Sequence, residues 1–257
     1  MVVSTDGRPL AGRLHAPPGE PSLLVVLCHG LAGRQDDFAE LPERLVERGA
    51  VVLTFDYSGH GASPGPPGLV TAASHLADTC AAIAHLQPIT KDRALVVAGH
   101  SFGSHAALRV AAELPSSVRA VAVISAPRHS GDALPGARRV AMRVAGHALR
   151  RMGRCAPPLR VPYCDDGAGR SRLDLRTLAY AVTVDNVAAA RAVAPAQSAL
   201  VVRGVLDPDV DEHAAAAIAA ALATSRTTRL DLPHAGHSPF TGVDARAIAD
   251  AIVAVAA

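Results

Sequence analysis

The chain has 257 residues, a formal net charge of +2, and 49% hydrophobic against 19% charged residues. This composition excludes a disordered protein, and the lack of a basic run excludes the electrostatic footprint of a nucleic-acid binder. No segment is apolar over the length that a membrane span needs, and the first residues lack the pattern of a secretion signal. We therefore expect one cytoplasmic domain over residues 1–257, with no nucleic acid as partner.

Two strand patterns open the chain. Val2–Thr5 and Leu10–His15 flank the Asp-Gly pair at 6–7, which is typical of a hairpin and predicts an antiparallel edge. Short buried-strand runs then alternate with helical patterns, as in a mostly parallel sheet of about eight strands with helices on both faces. The strand runs are Leu23–Leu27, Val51–Phe55, Ala94–Ala98, Val118–Ile124, Ala199–Val202 and Thr227–Leu232. The helical patterns are Phe38–Arg48, Val70–Leu86, Ser104–Leu114, Asp211–Ala223 and Val243–Ala256.

A stretch at about 127–194 interrupts this α/β alternation. It contains prolines, a glycine-rich turn at 166–169, and short helical patterns at Ala137–Met152 and Leu173–Val182. We interpret it as a helical cap inserted over the strand ends. Inserted segments of this kind commonly carry the selectivity of a scaffold.

The strongest chemical signal is Gly-His-Ser-Phe-Gly at 99–103, between a strand run and a helical pattern. This is G-x-S-x-G in the strand-turn-helix context that a nucleophile elbow requires. The glycines permit a tight turn, and the following helix directs its N-terminus at developing negative charge. The pattern predicts Ser101 as a nucleophile.

A serine hydroxyl needs a base and a group that orients that base. In the chain order serine, acid, histidine, the base follows the last strand, where His234 and His237 compete. We favour His237, which follows a glycine and precedes the last helix, whereas His234 lies nearer the strand end. For the acid we favour Asp207, the carboxylate nearest to the strand end, with a glycine three residues before it.

Two other carboxylates lie close to Asp207 in the sequence. Asp209 is the reserve candidate for the acid, and Asp211 is better interpreted as the N-cap of the next helix.

An oxyanion hole requires two backbone N–H donors. One is predicted at Phe102, directly after the nucleophile, and the other at Leu31 in the glycine-containing loop after the third strand. His29 in that loop is predicted to support it by hydrogen bonding. A plain turn remains an alternative for this segment.

With these motifs the chain resembles the α/β-hydrolase superfamily, specifically its esterases, lipases and serine aminopeptidase-like members with a single cap. The stretch Asp56–Ser63 is similar to the family turn Asp-x-x-Gly-His-Gly-x-Ser, which is structural in the family. The chain departs from the family pattern at Ser104, where many relatives have a second glycine after the nucleophile turn. His60, His100 and His105 are interpreted as structural rather than catalytic.

The resemblance implies hydrolysis of a carboxylic ester through an acyl-enzyme on Ser101. A thioesterase or acyltransferase acting on a carrier-bound acyl chain would use the same residues, and a peptidase or a non-catalytic ligand-binding protein also stays open. No cofactor is expected, and no metal, because the four cysteines at 28, 80, 155 and 164 show no metal-ligand spacing.

Arginine is concentrated in the predicted insertion. Between Arg128 and Arg176 the arginines are at positions 128, 138, 139, 143, 150, 151, 154, 160, 170, 172 and 176, and the aspartates at 132, 165, 166 and 174. The excess fits an anionic substrate or an acidic acyl-carrier protein. We favour the alternative of a solvated surface, because arginine replaces lysine almost throughout the chain.

Overall fold

The computed structural model describes residues 2–5, 8–86, 88, 93–129, 160–164, 171–222 and 226–257, and positions 140, 141, 144, 145, 148 and 151. The strands are β1 (Val2–Thr5), β2 (Arg8–His15), β3 (Leu23–Cys28), β4 (Ala50–Phe55), β5 (Ala94–His100), β6 (Ala120–Ile124), β7 (Arg160–Cys164), β8 (Ser171–Asp174), β9 (Ser198–Gly204) and β10 (Thr227–Leu232). The α-helices are α1 (Leu41–Val46), α2 (Ala72–Leu86), α3 (Gly103–Glu113), α4 (Leu175–Ala181), α5 (Asn186–Arg191), α6 (Glu212–Ala221) and α7 (Gly242–Ala256).

A large sheet organises the chain, with strand order β1-β2-β4-β3-β5-β6-β9-β10. The β1/β2 and β2/β4 pairs are antiparallel, and all pairs from β4 to β10 are parallel. The predicted sheet and its antiparallel edge are therefore confirmed. Because parallel strands end at the same edge, the loops after β3, β5, β6, β9 and β10 lie along one side of the molecule.

Helices cover both faces of the sheet. Successive residues of a strand point to opposite faces, so Leu24 and Val26 of β3 belong to one hydrophobic cluster and Leu23 and Val25 to another. Residues of α2, α3, α5 and α6 pack in the first cluster, and residues of α1 and α7 in the second. This double burial explains why the parallel strands are continuous apolar runs.

The predicted elements of the sheet and its helices are confirmed with small shifts at their ends, except one. Phe38–Arg48 is not a single helix: a 3₁₀ turn at Gln35–Phe38 is followed by Ala39 at φ 44°, and α1 begins at Leu41. The reason is Pro42, which has no N–H and fits a helix only in its first turn.

The stretch between β6 and β9 contains α4, α5 and the antiparallel hairpin of β7 and β8, a pairing that the sequence analysis missed. The predicted helix at Ala137–Met152 lies largely outside the described residues, although the six positions described there are helical, and the glycine turn at 166–169 lies outside them entirely.

The two ends of this stretch are bound to each other. The backbone N–H of Asn186 donates to the Arg128 carbonyl at 3.1 Å, and its side-chain Nδ2 donates to the Pro127 carbonyl at 2.7 Å. Within the described ranges no helix has the length and apolarity to cross a membrane.

Candidate active site

Ser101 occupies the sharp turn between β5 and α3. Its φ of 51° lies in the left-handed region, which costs a side-chain-bearing residue about 1–2 kcal/mol. Two hydrogen bonds hold the turn: the Ser101 N–H donates to the Ile124 carbonyl at 2.8 Å, and the Ser104 hydroxyl donates to the Gly99 carbonyl at 2.7 Å. A strained, partly exposed serine thus lies at the carboxyl edge of the sheet.

The flanking glycines are required by the close approach of strand, turn and helix. A Cβ on Gly99 would lie 2.4 Å from the Gly103 carbonyl oxygen, and a Cβ on Gly103 would lie 2.2 Å from the Cys28 carbonyl oxygen. Ser104, where the family pattern has a second glycine, is completely buried. Its hydroxyl is satisfied by Gly99, so the departure from the pattern closes the elbow rather than disrupting it.

The acid and the base predicted from the sequence meet after β9 and β10. His237 Nδ1 lies 2.9 Å from Asp207 Oδ2, and the Asp207 side chain is completely buried while that of His237 is 27% exposed. Because a carboxylate only accepts hydrogen bonds, Nδ1 carries the proton and Nε2 keeps a free lone pair. His237 is therefore in the tautomer that can accept a proton at Nε2.

Asp207 is held as an anion. Burial by itself would raise its pKa, but the hydrogen bond from His237 and those from two backbone N–H groups outweigh burial and lower the pKa below its ordinary value. The backbone donors are Asp209 at 2.8 Å and Val210 at 3.2 Å, both to Oδ1. The loop that follows β9 therefore fixes the carboxylate that faces His237.

The rival residues lie elsewhere or act differently. His234 is exposed, and Asp211 caps α6 by accepting from the Ala214 N–H at 2.8 Å, as predicted. Asp209 is exposed, yet one of its carboxylate oxygens lies within 4.8 Å of both an Asp207 oxygen and a His237 ring nitrogen. Asp209 thus adds negative charge beside the pair without taking the hydrogen bond.

His100 brings the elbow and the histidine loop together. Its Nε2 donates to the backbone carbonyl of His237 at 2.8 Å, and the two ring centroids are 4.9 Å apart. Burial, followed by the proximity of His237, lowers the pKa of His100 to about 4, so its ring is neutral near pH 7. Across the described residues no hydrogen bond joins the Ser101 hydroxyl to His237, a contact that often tightens only when substrate binds.

The loop after β3 lies against the nucleophile. A Cβ on Gly30 would lie 3.5 Å from the Ser101 Cβ. His29 Nδ1 donates to the Gly30 carbonyl at 2.8 Å, and His29 Nε2 accepts from the Tyr57 N–H at 3.1 Å. The predicted supporting role of His29 is therefore confirmed, and burial, followed by nearby His60, lowers the pKa of His29 to about 3, which keeps it neutral.

This arrangement also sets the direction of the Leu31 N–H. The Gly30 carbonyl accepts from His29 and, at 3.1 Å, from the Gly33 N–H. In a trans peptide the next N–H points the opposite way, so the Leu31 N–H is directed away from these donors. Neither Leu31 nor Phe102 has a backbone acceptor for its N–H within the described ranges. Both remain predicted oxyanion donors.

The turn Asp56–Ser63 is structural, as the resemblance implies. Asp56 is buried and accepts from the backbone N–H groups of Gln35 at 2.6 Å and Ala62 at 2.8 Å. The Ser63 hydroxyl donates to the Asp56 carbonyl at 2.6 Å. These bonds tie the turn after β4 to the loop that carries Leu31.

Sheet order and elbow together define an α/β hydrolase, the superfamily that the motifs indicated. More narrowly, the chain belongs to the serine aminopeptidase family S33, whose family model matches residues 19–243.

Individual relatives match part of the chain in sequence. Human monoglyceride lipase is 29% identical over 127 residues, 48% of this chain and 41% of its own length. The quorum-quenching protein AidA of Acinetobacter baumannii is 38% identical over 106 residues, 40% of this chain and 34% of its own length. The chain thus spans less than half the length of these relatives.

Among solved structures, a monoacylglycerol lipase of Paleococcus ferrophilus superposes with a TM-score of 0.77 at 21% identity, covering 95% of this chain and 98% of that one. At this identity the likeness establishes the fold.

Proposed function

We propose that the chain is a carboxylic ester hydrolase that acts through an acyl-enzyme on Ser101. The observation that carries the proposal is a strained serine at the elbow and, on a loop bound to that elbow through His100, a histidine whose Nδ1 is hydrogen bonded to a buried carboxylate at 2.9 Å. The esterases and lipases among similar proteins support the same chemical class.

In the proposed reaction Ser101 Oγ attacks the acyl carbonyl carbon while His237 Nε2 takes the serine proton. The N–H groups of Leu31 and Phe102 stabilise the negative oxygen of the tetrahedral intermediate. His237 then gives the proton to the leaving alcohol, and the acyl group remains on Ser101. A water molecule, deprotonated by His237, attacks this ester and releases the acid, returning the proton to the serine.

We further propose that residues 127–194 form the cap over this site within a single domain. The hydrogen bonds that join Asn186 to Arg128 and Pro127 support a segment anchored at both ends. Arg176, one of the arginines expected to hold an anionic group, instead binds Asp174 through Nε at 2.8 Å and Nη2 at 2.7 Å. Arg176 therefore gives no support to binding of an acidic carrier. Arg128 is exposed and is the arginine on which that hypothesis can be tested.

The test begins with a fluorophosphonate, which reacts with activated serines. We expect one adduct, mapped to Ser101 by intact mass and peptide analysis, and none in Ser101→Ala. A folded protein without an adduct would contradict an assembled triad and favour the ligand-binding reading.

The same preparation then distinguishes the leaving groups. We expect turnover of p-nitrophenyl esters and 1-monoacylglycerols to exceed that of acyl thioesters and aminoacyl anilides. Faster release of thiol from an acyl thioester would favour the thioesterase, and faster release of aniline the peptidase.

A further inference from the structure

An aromatic cluster beside the elbow connects it to α4, a helix within the 127–194 stretch. We define it as Phe102, His75 of α2 and Tyr180 of α4. The His75 ring stacks on the Phe102 ring, with centroids 4.4 Å apart and planes inclined by 9°. His75 Nδ1 and the Tyr180 hydroxyl are 3.2 Å apart, and the Tyr180 ring meets the Phe102 ring edge-on at 5.6 Å.

The rings of the cluster are held in fixed positions. His75 is 1% and Phe102 3% exposed, so neither ring can turn without disturbing the core. Burial lowers the pKa of His75 far below its ordinary value and raises the pKa of Tyr180 to about 12. Both groups are therefore neutral near pH 7, and the bond between them does not depend on a charge.

The helix that carries Tyr180 is itself fixed to the scaffold. The hydroxyl of Thr177, also in α4, accepts from the Val70 N–H at 2.7 Å and donates to the Gly68 carbonyl at 2.8 Å. Val70 lies just before α2, the helix of His75. Helix α4 thus contacts the scaffold through Thr177 and through Tyr180, whose hydroxyl leads through His75 to Phe102. The Tyr180 ring also meets the Phe102 ring directly.

Resting on the proposed function, in which the Phe102 N–H is an oxyanion donor, we propose that His75 and Tyr180 are positioning residues that couple α4 to the oxyanion hole. The Phe102 ring and its N–H belong to one residue at a strained turn, so the ring contacts help to set the direction of that N–H. Oxyanion donors must be aimed to within a few tenths of an ångström to act in the transition state.

Tyr180→Phe tests the coupling, because it keeps the ring and removes only the hydroxyl that binds His75. The matched control is Tyr57→Phe. Tyr57 is buried, contacts His75 edge-on at 4.6 Å, and has its hydroxyl 3.4 Å from Thr79 Oγ1 on α2. Each variant keeps its ring and loses one phenol hydroxyl that contacts a residue of α2, His75 for Tyr180 and Thr79 for Tyr57.

For Tyr180→Phe we expect kcat on an ester to fall about three- to tenfold, with KM within about twofold, since a hydrogen bond that aims a transition-state donor is lost. The affinity for an alkyl boronic acid, which forms a tetrahedral adduct, should fall in parallel. Tyr57→Phe should keep kcat within about twofold. Equal kcat in the two variants, or a change confined to KM in Tyr180→Phe, would overturn the coupling.

The double variant His75→Phe/Tyr180→Phe separates positioning from stability. Tyr180→Phe alone leaves the buried Nδ1 of His75 without its partner, whereas the double variant removes both polar groups of this hydrogen bond. The thermal midpoint of the double variant should therefore be closer to wild type than that of Tyr180→Phe. Its kcat should stay as low as that of Tyr180→Phe, because the hydrogen bond that joins α4 to the ring stacked on Phe102 is still missing. Recovery of kcat together with the midpoint would mean that Tyr180 has only a structural role.

Hydrogen exchange tests the coupling without relying on turnover. Tyr180→Phe should raise deuterium uptake in peptides covering residues 101–110, and Tyr57→Phe should not. A wild type without turnover or fluorophosphonate adduct would refute the proposed ester hydrolysis, while exchange would still decide whether α4 and the elbow are coupled. Equal uptake in the two variants would refute the coupling alone.

Discussion

Replacing Asp207 by asparagine should disable the base while leaving the loop intact. The carboxylate accepts from His237 at Oδ2 and from the Asp209 and Val210 N–H groups at Oδ1. An asparagine oxygen can keep both backbone bonds, but its NH₂ group then faces His237 Nδ1. That nitrogen must now accept, so the proton moves to Nε2, the atom that has to take the proton of Ser101.

The expected loss in kcat is about 10⁴-fold, the size found for the equivalent change in another serine triad. At about 1.36 kcal/mol for each factor of ten, this is about 5 kcal/mol of transition-state stabilisation. The thermal midpoint should change little, because both backbone hydrogen bonds remain. Initial rates of p-nitrophenyl ester hydrolysis, together with the rate of fluorophosphonate labelling, measure the loss.

Asp209→Asn is the comparison that could refute this reasoning. Its carboxylate is exposed and lies within 4.8 Å of the pair without a hydrogen bond to His237. Exposed charge interactions contribute up to about 1 kcal/mol, so the loss should stay below tenfold. If Asp209→Asn lost as much activity as Asp207→Asn, the acid would be wrongly assigned.

Three further predictions follow from the same contacts. Ser101→Ala should abolish ester turnover while its urea unfolding midpoint stays close to wild type, since no large cavity forms; retained turnover would remove Ser101 from the mechanism. Gly103→Ala should lower the free energy of unfolding in urea by about 1–3 kcal/mol or more, because its Cβ would lie 2.2 Å from the carbonyl oxygen of Cys28. Gly19→Ala is the control and should be near neutral, since a Cβ there has nothing within 4 Å. Similar urea midpoints in the two variants would contradict the packing argument. His100 has its pKa lowered from 6.5 to about 4, so the unfolded state binds more protons between these values and stability should fall as the pH drops through this window. The loss in free energy of unfolding that is due to His100 amounts to about 3 kcal/mol at pH 4. Urea titrations of His100→Phe should therefore show a shallower fall of stability with pH, and an unchanged slope would contradict the assignment to His100.

Local patterns were enough to predict much of this protein. The alternation of apolar runs and helical periods predicted the sheet because each parallel strand is buried on both faces, which leaves a continuous apolar signature. The elbow could be predicted because its strained turn allows few residue types around Ser101. His237 could be predicted as the base because it follows the last strand in the chain order serine, acid, histidine. The broken helix near Pro42 could have been anticipated, since proline has a fixed place in a helix.

The 127–194 stretch was harder to read. The β7–β8 hairpin was missed because its short strands lack a clear alternation of apolar and polar residues, which a strand packed on one face would show. Helix α5 was missed for a related reason, since its six residues are too short for a periodic signal.

The sequence by itself determined the fold class, the elbow and the residue types available for an acid and a base, because these depend on local sterics and on hydrophobic period. Only the tertiary structure decided which carboxylate binds His237, since Asp207, Asp209 and Asp211 differ by the backbone N–H groups and the burial that the fold gives each one. Only the tertiary structure placed Tyr180 against His75, 105 positions apart in the chain, because a contact between helices depends on how both pack on the sheet.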